Sequence, residues 1–159
     1  MIVRTGLGQD SHPFEGPESN KPLKLGGLIF EAERGLKGNS DADVVLHALT
    51  NAISGVSCRN VMGSVSDAMC ESGILDSREY VKEALKSLGK LTLSHVSISL
   101  ECSHPKIAPK VGVMREALAE LLGLSVLDIG ITATSGEGLT AFGRGEGIQA
   151  LVIVTAMEF

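Results

Sequence analysis

Asp10 and His12, two residues apart, and His47 further along are the side chains in this chain best equipped for chemistry. A carboxylate oxygen and two imidazole nitrogens suit zinc or a similar divalent transition metal. In extended chain, residues i and i+2 face the same side, so Asp10 and His12 can address one ion. His47 would reach it from a helix. Three protein ligands leave a fourth position open, which is the pattern of a catalytic site rather than a structural one. Read singly, His12 is also a turn residue before Pro13, and His47 an ordinary helix histidine.

Four further segments carry candidate groups. Asn39-Ser40-Asp41-Ala42-Asp43 precedes the helix that would hold His47. These residue types cap helices, and a helix N-terminus also attracts a phosphate. Both readings stay open. Thr134-Ser135-Gly136-Glu137 follows a strand-like run, so its small residues let backbone N–H groups approach an anion. Glu137 suits a hard cation such as Mg²⁺. Gly143-Arg144-Gly145-Glu146-Gly147 sets opposite charges between glycines, and its spacing is not a dinucleotide fingerprint. Lys106, inside Pro105-Lys106-Ile107-Ala108-Pro109, could reach a phosphate or a base.

The elements that must position these groups follow from periodicity and punctuation. Ile2–Gln9 is a strand candidate, and Leu23–Phe30 a second one interrupted by Gly26-Gly27. The Pro- and Gly-bearing stretch 13–22 connects them. Val45, Leu49, Ala52 and Val56 recur at helical spacing within a helix over 43–56. A second helix over 76–88 opens on Asp76-Ser77-Arg78-Glu79, the pattern of a capping box. Val96–Glu101 alternates as a half-buried strand, and Lys110–Leu122 is a third helix stopped by Gly123. Ile129–Thr134 and Ile148–Met157 complete the strands, giving a mixed α+β chain with hairpin-like pairs at both ends. The last strand, nearly all apolar, should be central or covered on both faces.

The 159 residues fit one domain, and 43% apolar residues are enough for a core. A net charge of −5 without any Lys/Arg run argues against nucleic-acid or anionic-membrane partners. An anionic ligand would then be held locally, by metal, backbone N–H groups or a few basic side chains. Cys58, Cys70 and Cys102 match no zinc spacing and read as reduced thiols. No secretory h-region and no bilayer-length apolar run is evident, so a cytoplasmic protein is expected.

Together these segments resemble one family, the 2-C-methyl-D-erythritol 2,4-cyclodiphosphate synthases of non-mevalonate isoprenoid biosynthesis. The resemblance is carried by Gly8-Gln9-Asp10-Ser11-His12, the run from Ser40 to Leu49, Asp76-Ser77-Arg78-Glu79, Pro105-Lys106, Thr134-Ser135-Gly136-Glu137 and the run from Gly143 to Gly147. They stand in family order over almost the whole chain. The resemblance implies a ferredoxin-like two-layer sandwich of a mixed β-sheet and helices, assembling as a homotrimer with sites at the subunit interfaces. It implies a cytidine diphosphate substrate, 4-diphosphocytidyl-2-C-methyl-D-erythritol 2-phosphate, whose 2-phosphate displaces CMP. Asp10, His12 and His47 match the zinc ligands, and Glu137 matches a ligand for Mg²⁺ or Mn²⁺. Ser135 matches a hydroxyl that supports the transferring group, with Thr134 and Gly136 beside it. Asn39 and Ser40 fall at the phosphate site, and Lys106 at the cytidine pocket. Arg144 and Glu146 match positions near the trimer axis, where an isoprenoid diphosphate binds in some members.

The sequence departs from the family at Asn39, a catalytic position by this resemblance where many members have His, and at Asn51, where Asp is common. Residues 60–62 and 65–69 replace segments that grip the erythritol and close over the site, and Ala141 replaces an aromatic. Two other readings fit the same residues: a metal-dependent phosphohydrolase on this scaffold, and a non-catalytic trimeric module that binds an isoprenoid or nucleotide.

Overall fold

The computed structural model describes residues 1–159. Its main sheet has four strands. These are β1 (Ile2–Pro13), β4 (Thr92–Glu101), β5 (Ile129–Thr134) and β6 (Gly147–Glu158), in the order β1-β6-β4-β5. β6 runs antiparallel to β1 and β4, whereas β4 and β5 are parallel. A parallel pair needs a crossover, and here helix α4 (Val111–Leu122) lies in it. The apolar last strand is therefore internal, as its composition requires. The expected terminal hairpin of the last two strands does not form, because β4 lies between β5 and β6.

The expected strand over 23–30 is instead two strands, β2 (Pro22–Leu25) and β3 (Leu28–Arg34). They form a separate antiparallel pair that turns at Gly26 and Gly27. Both glycines have positive φ, which reverses the chain where a strand would continue.

Helix α1 (Val44–Ser57) packs against β1 and β6. Its N-cap is Asp43, whose side chain accepts the N–H of Leu46 at 3.0 Å. Asp43 is fully buried and also accepts the N–H groups of Gly26 (2.9 Å) and Gly27 (2.7 Å). One carboxylate thus joins the β2–β3 turn to the start of α1. Burial drives its pKa upward, and the three N–H donors act against that rise.

Helix α3 (Ser77–Leu85) continues as a short 3₁₀ turn to Leu88. Asp76 caps it by accepting the N–H of Arg78 at 3.0 Å. The reciprocal half of the expected capping box is not made, since Glu79 pairs with Lys82 instead. Helix α4 ends at Gly123 in the left-handed region, as expected. Helix α2 (Ser64–Glu71) was not expected from the sequence. It is only eight residues long and only Ser66 is buried, so its periodic signal is short.

A single cluster of 34 buried apolar residues fills the space between the sheet and the helices. Gly6 and Gly8 decide how closely α1 approaches. A Cβ on Gly6 would stand 2.0 Å from the Ala52 carbonyl oxygen, and one on Gly8 would stand 1.9 Å from that of Ala48. The other sheet face is bare: Leu7 is 66% exposed, and its cross-strand partner Ile153 is 45% exposed.

Candidate metal centre

Gly6, Gly8, Asp10 and His12 share one face of β1 because side chains alternate along a strand. The glycines admit α1, and the next two residues on that face carry the functional groups. β1 is longer than expected and runs to Pro13, so Asp10 and His12 lie within paired strand opposite Ala150 and Ile148. His47 projects from the first turn of α1 and is 4% exposed. One ligand atom from each of Asp10, His12 and His47 lies within 4.8 Å of the others.

The centre of this group is Asp10 Oδ2. It stands 3.0 Å from His12 Nε2 and 3.1 Å from His47 Nδ1. Despite that closeness, His12 Nε2 is buried and has no aligned hydrogen-bond partner. An orphaned ring nitrogen beside a carboxylate and a second imidazole is the donor set a divalent metal satisfies.

Electrostatics agree. Burial opposes ionisation of Asp10, but the two imidazoles beside it prevail and hold its pKa below the usual value. The Asp10 carboxylate raises the pKa of His12, against the effect of burial.

The cleft over this trio is small, about 140 Å³. Asn39, Ser40, Met62, Gly63, Ser66, Asp67 and Tyr80 complete its wall. Met62 and Gly63, just before α2, and Ser66 and Asp67 in its first turn therefore line one side of the cleft. Asn39 and Ser40 both line the cleft. Ser40 Oγ accepts the N–H of Ala42 at 3.1 Å, and Asp41 and Asp43 are likewise engaged with backbone N–H groups. Capping thus uses the acidic groups of the 39–43 segment. Tyr80 is buried beneath the site and donates to the Ile74 carbonyl at 2.6 Å; burial pushes its pKa up to about 12. Met62, Ser66 and Asp67 belong to the segments 60–62 and 65–69 that depart from the family pattern, whereas Tyr80 carries no such signal, because nothing in local spacing brings it to residues 10, 12 and 47.

The remaining predicted residues do not join the trio within this chain. Thr134, Ser135 and Glu137 are exposed, with Gly136 partly so, on the loop after β5. There Thr134 and Ser135 cap the N–H groups of Gly136 and Glu137. Lys106 lies in a separate groove with Phe30, Glu31, Glu33 and Lys110. Arg144 pairs with Glu146 at 3.0 Å in an exposed turn. A larger cleft, about 470 Å³, is elsewhere, between the Gly26-Gly27 turn, α3 and α4. It sets Arg78 and Lys82 against Glu79 and Glu120 and holds no metal-ligand cluster, so volume alone does not locate the site.

The sequence profile of the YgbB family matches residues 3–157. The chain belongs to the YgbB family. A relative from Chlamydia muridarum, a 2-C-methyl-D-erythritol 2,4-cyclodiphosphate synthase, is 47% identical over 160 residues, covering 99% of this chain and 90% of the relative. The bifunctional IspDF of Campylobacter jejuni superposes with a TM-score of 0.88 at 30% identity. The match covers 99% of this chain but only 43% of that longer one. A solved 2C-methyl-D-erythritol-2,4-cyclodiphosphate synthase in a CDP-bound form superposes with a TM-score of 0.81 at 27% identity, covering 97% of this chain and all of that one. The resemblance read from the motifs is thus upheld across the whole YgbB-family chain. No helix is long and apolar enough to cross a membrane, and all three cysteines are free thiols.

Proposed function

We propose that this YgbB-family chain is a cyclodiphosphate synthase. It converts 4-diphosphocytidyl-2-C-methyl-D-erythritol 2-phosphate to the 2,4-cyclodiphosphate and CMP, as a single domain over residues 1–159. The observation that carries the reading is the convergence of Asp10, His12 and His47 in a chain 47% identical to a synthase over its length. In this reading the three residues hold Zn²⁺ or a similar ion, and Glu137 helps hold Mg²⁺ or Mn²⁺. Bound there, such cations neutralise phosphate charge and hold the groups in line. Asn39 and Ser40 offer hydrogen bonds to a phosphate, and Ser135 supports the transferring group with Thr134 and Gly136. Lys106 serves the cytidine. The substrate's 2-phosphate oxygen forms a bond to the β-phosphorus as the bond to the CMP oxygen breaks. The reaction is intramolecular, so positioning and charge neutralisation supply most of the catalysis.

The chain acts as a homotrimer in this proposal, with a ferredoxin-like subunit. Two features support assembly. A cleft of about 140 Å³ is small beside the ~300–1,000 Å³ of ordinary ligand sites, and Ser135, Glu137 and Lys106 lie outside it. A neighbouring copy can supply them. The bare sheet face bearing Leu7, Leu151 and Ile153 gives such a copy an apolar surface to cover. Arg144 and Glu146 then lie near the axis, where an isoprenoid diphosphate would bind. The enzyme is a cytoplasmic phosphorus–oxygen lyase.

The test is phosphorus NMR of the purified protein with the cytidyl substrate, Zn²⁺ and Mg²⁺. Coupled cyclic-diphosphate signals with matching CMP, lost in Asp10→Ala, are expected. Inorganic phosphate would indicate a phosphohydrolase instead, and an unchanged spectrum from folded, metal-loaded protein a binding module.

A further inference from the structure

His47 meets different chemistry on its two sides. Nδ1 faces Asp10 Oδ2 at 3.1 Å. Nε2 lies 2.8 Å from Ser77 Oγ and 3.3 Å from Ser40 Oγ. Ser77 is fully buried, and its hydroxyl makes a short contact with Asp41 Oδ1. An ionised carboxylate can only accept. The single proton of the Ser77 hydroxyl therefore points to Asp41, and Ser77 Oγ is left to accept from His47.

Asp41 is itself held in place. Its Oδ2 accepts the Ser77 N–H at 3.0 Å and lies 3.9 Å from Lys24 Nζ, and its Oδ1 accepts the Asp43 N–H at 3.2 Å. The order along this line is Lys24, Asp41, Ser77, His47, drawn from β2, the loop before α1, the first turn of α3, and α1. Each partner is fixed by a different element, so the ring has little freedom to turn. A proton accepted from Nε2 leaves the Nδ1 lone pair directed toward Asp10 and His12.

We infer that Ser77 and Asp41 are positioning residues for the metal ligand His47: the Asp41–Ser77 pair accepts the Nε2 proton, fixes the imidazole plane and presents Nδ1 to the metal. The inference rests on the metal centre proposed above. It gives Asp76-Ser77-Arg78-Glu79 a role beyond capping, because its serine reaches the ligand while its first aspartate caps α3. Ser77→Ala isolates the role, because the backbone N–H of residue 77 still bonds Asp41 when the hydroxyl is gone.

The experiment is competition for Zn²⁺ between the purified protein and a chromophoric chelator, with melting of the metal-free proteins alongside. Ser77→Ala should bind Zn²⁺ about 10- to 100-fold more weakly than wild type, the usual cost of losing a partner behind a metal-bound histidine. A purely structural serine would lower the metal-free melting temperature and leave Zn²⁺ affinity within about twofold of wild type, which would overturn the inference. Nitrogen-15 NMR of Zn²⁺-loaded wild type tests the same point without a variant. Coordination through Nδ1 of His47 with a slowly exchanging Nε2 proton is expected, and coordination through Nε2 would overturn it. A folded wild type that retains no Zn²⁺ would instead remove the metal centre, and the inference with it.

Discussion

The close approach of α1 to β1 makes Gly8→Ala a sharp perturbation. A Cβ at position 8 would stand 1.9 Å from the Ala48 carbonyl oxygen and 2.4 Å from the Ala52 nitrogen, both main-chain atoms that cannot rotate aside. Restoring an ordinary contact moves the helix away by about 1.5 Å. Overpacking of this kind costs about 1–3 kcal/mol, which for a chain of this size is roughly 2–12 °C in melting temperature. The effect on the site should be larger than the effect on stability. His47 adjoins Ala48 on the displaced helix, and metal–ligand distances tolerate only about ±0.2 Å. Gly6→Ala is the control. Its added Cβ would meet the Ala52 carbonyl oxygen at 2.0 Å, so the packing strain is similar, but it falls further along α1 from His47. Melting curves and Zn²⁺ competition on both variants are the assay. Both should melt lower, and Gly8→Ala should lose at least about tenfold more Zn²⁺ affinity than Gly6→Ala. Wild-type melting and metal binding in Gly8→Ala would refute the argument that glycine sets the helix–strand distance and thereby the site.

Four further outcomes are expected. His47→Ala should leave far-UV circular dichroism unchanged while abolishing Zn²⁺ retention; a variant that copurifies with full metal would remove His47 from the ligand set. Glu137→Gln should raise the Mg²⁺ concentration needed for half-maximal turnover, and an unchanged titration would end its assigned role. Asp43→Ala removes three hydrogen bonds to a buried carboxylate and should cost about 3 kcal/mol or more in urea unfolding; a loss under about 1 kcal/mol would show that the β2–β3 turn docks without it. The fourth concerns pH in the metal-free protein. The His12 pKa is raised on folding, so its stabilisation is complete below the unfolded value of about 6.5 and is lost as pH rises through the folded value. The Asp10 pKa is lowered, so its contribution holds above about 3.9 and fades as pH falls through the folded value. The melting advantage of wild type over His12→Ala should therefore shrink as pH rises above about 6.5, while stabilisation by Zn²⁺ grows as His12 loses its proton. A wild-type advantage that widens with pH in the metal-free state would contradict the assigned shift.

Much of this molecule was legible in its residues. Alternation in β4, the helical spacing of Val45, Leu49, Ala52 and Val56, and the stop at Gly123 are local properties, and the structure follows them. The ligand types at 10, 12 and 47 depend on side-chain chemistry alone, and the i, i+2 spacing of Asp10 and His12 already places both on one face. Gly26-Gly27 interrupts the apolar run 23–30, and its positive φ angles turn that run into a hairpin. Helix α2 escaped notice because it has almost no buried face of its own.

Tertiary structure decided the rest. Which strand lies beside β6 depends on long-range pairing, which no short window of sequence encodes. The same holds for the depth to which α1 sinks onto Gly6 and Gly8, since a glycine shows only that a close approach is permitted. The Lys24–Asp41–Ser77 line behind His47 joins residues far apart in sequence through one ion pair and a few hydrogen bonds. Such bonds leave no periodic trace, because they depend on where folded elements meet rather than on the order in which residues are linked.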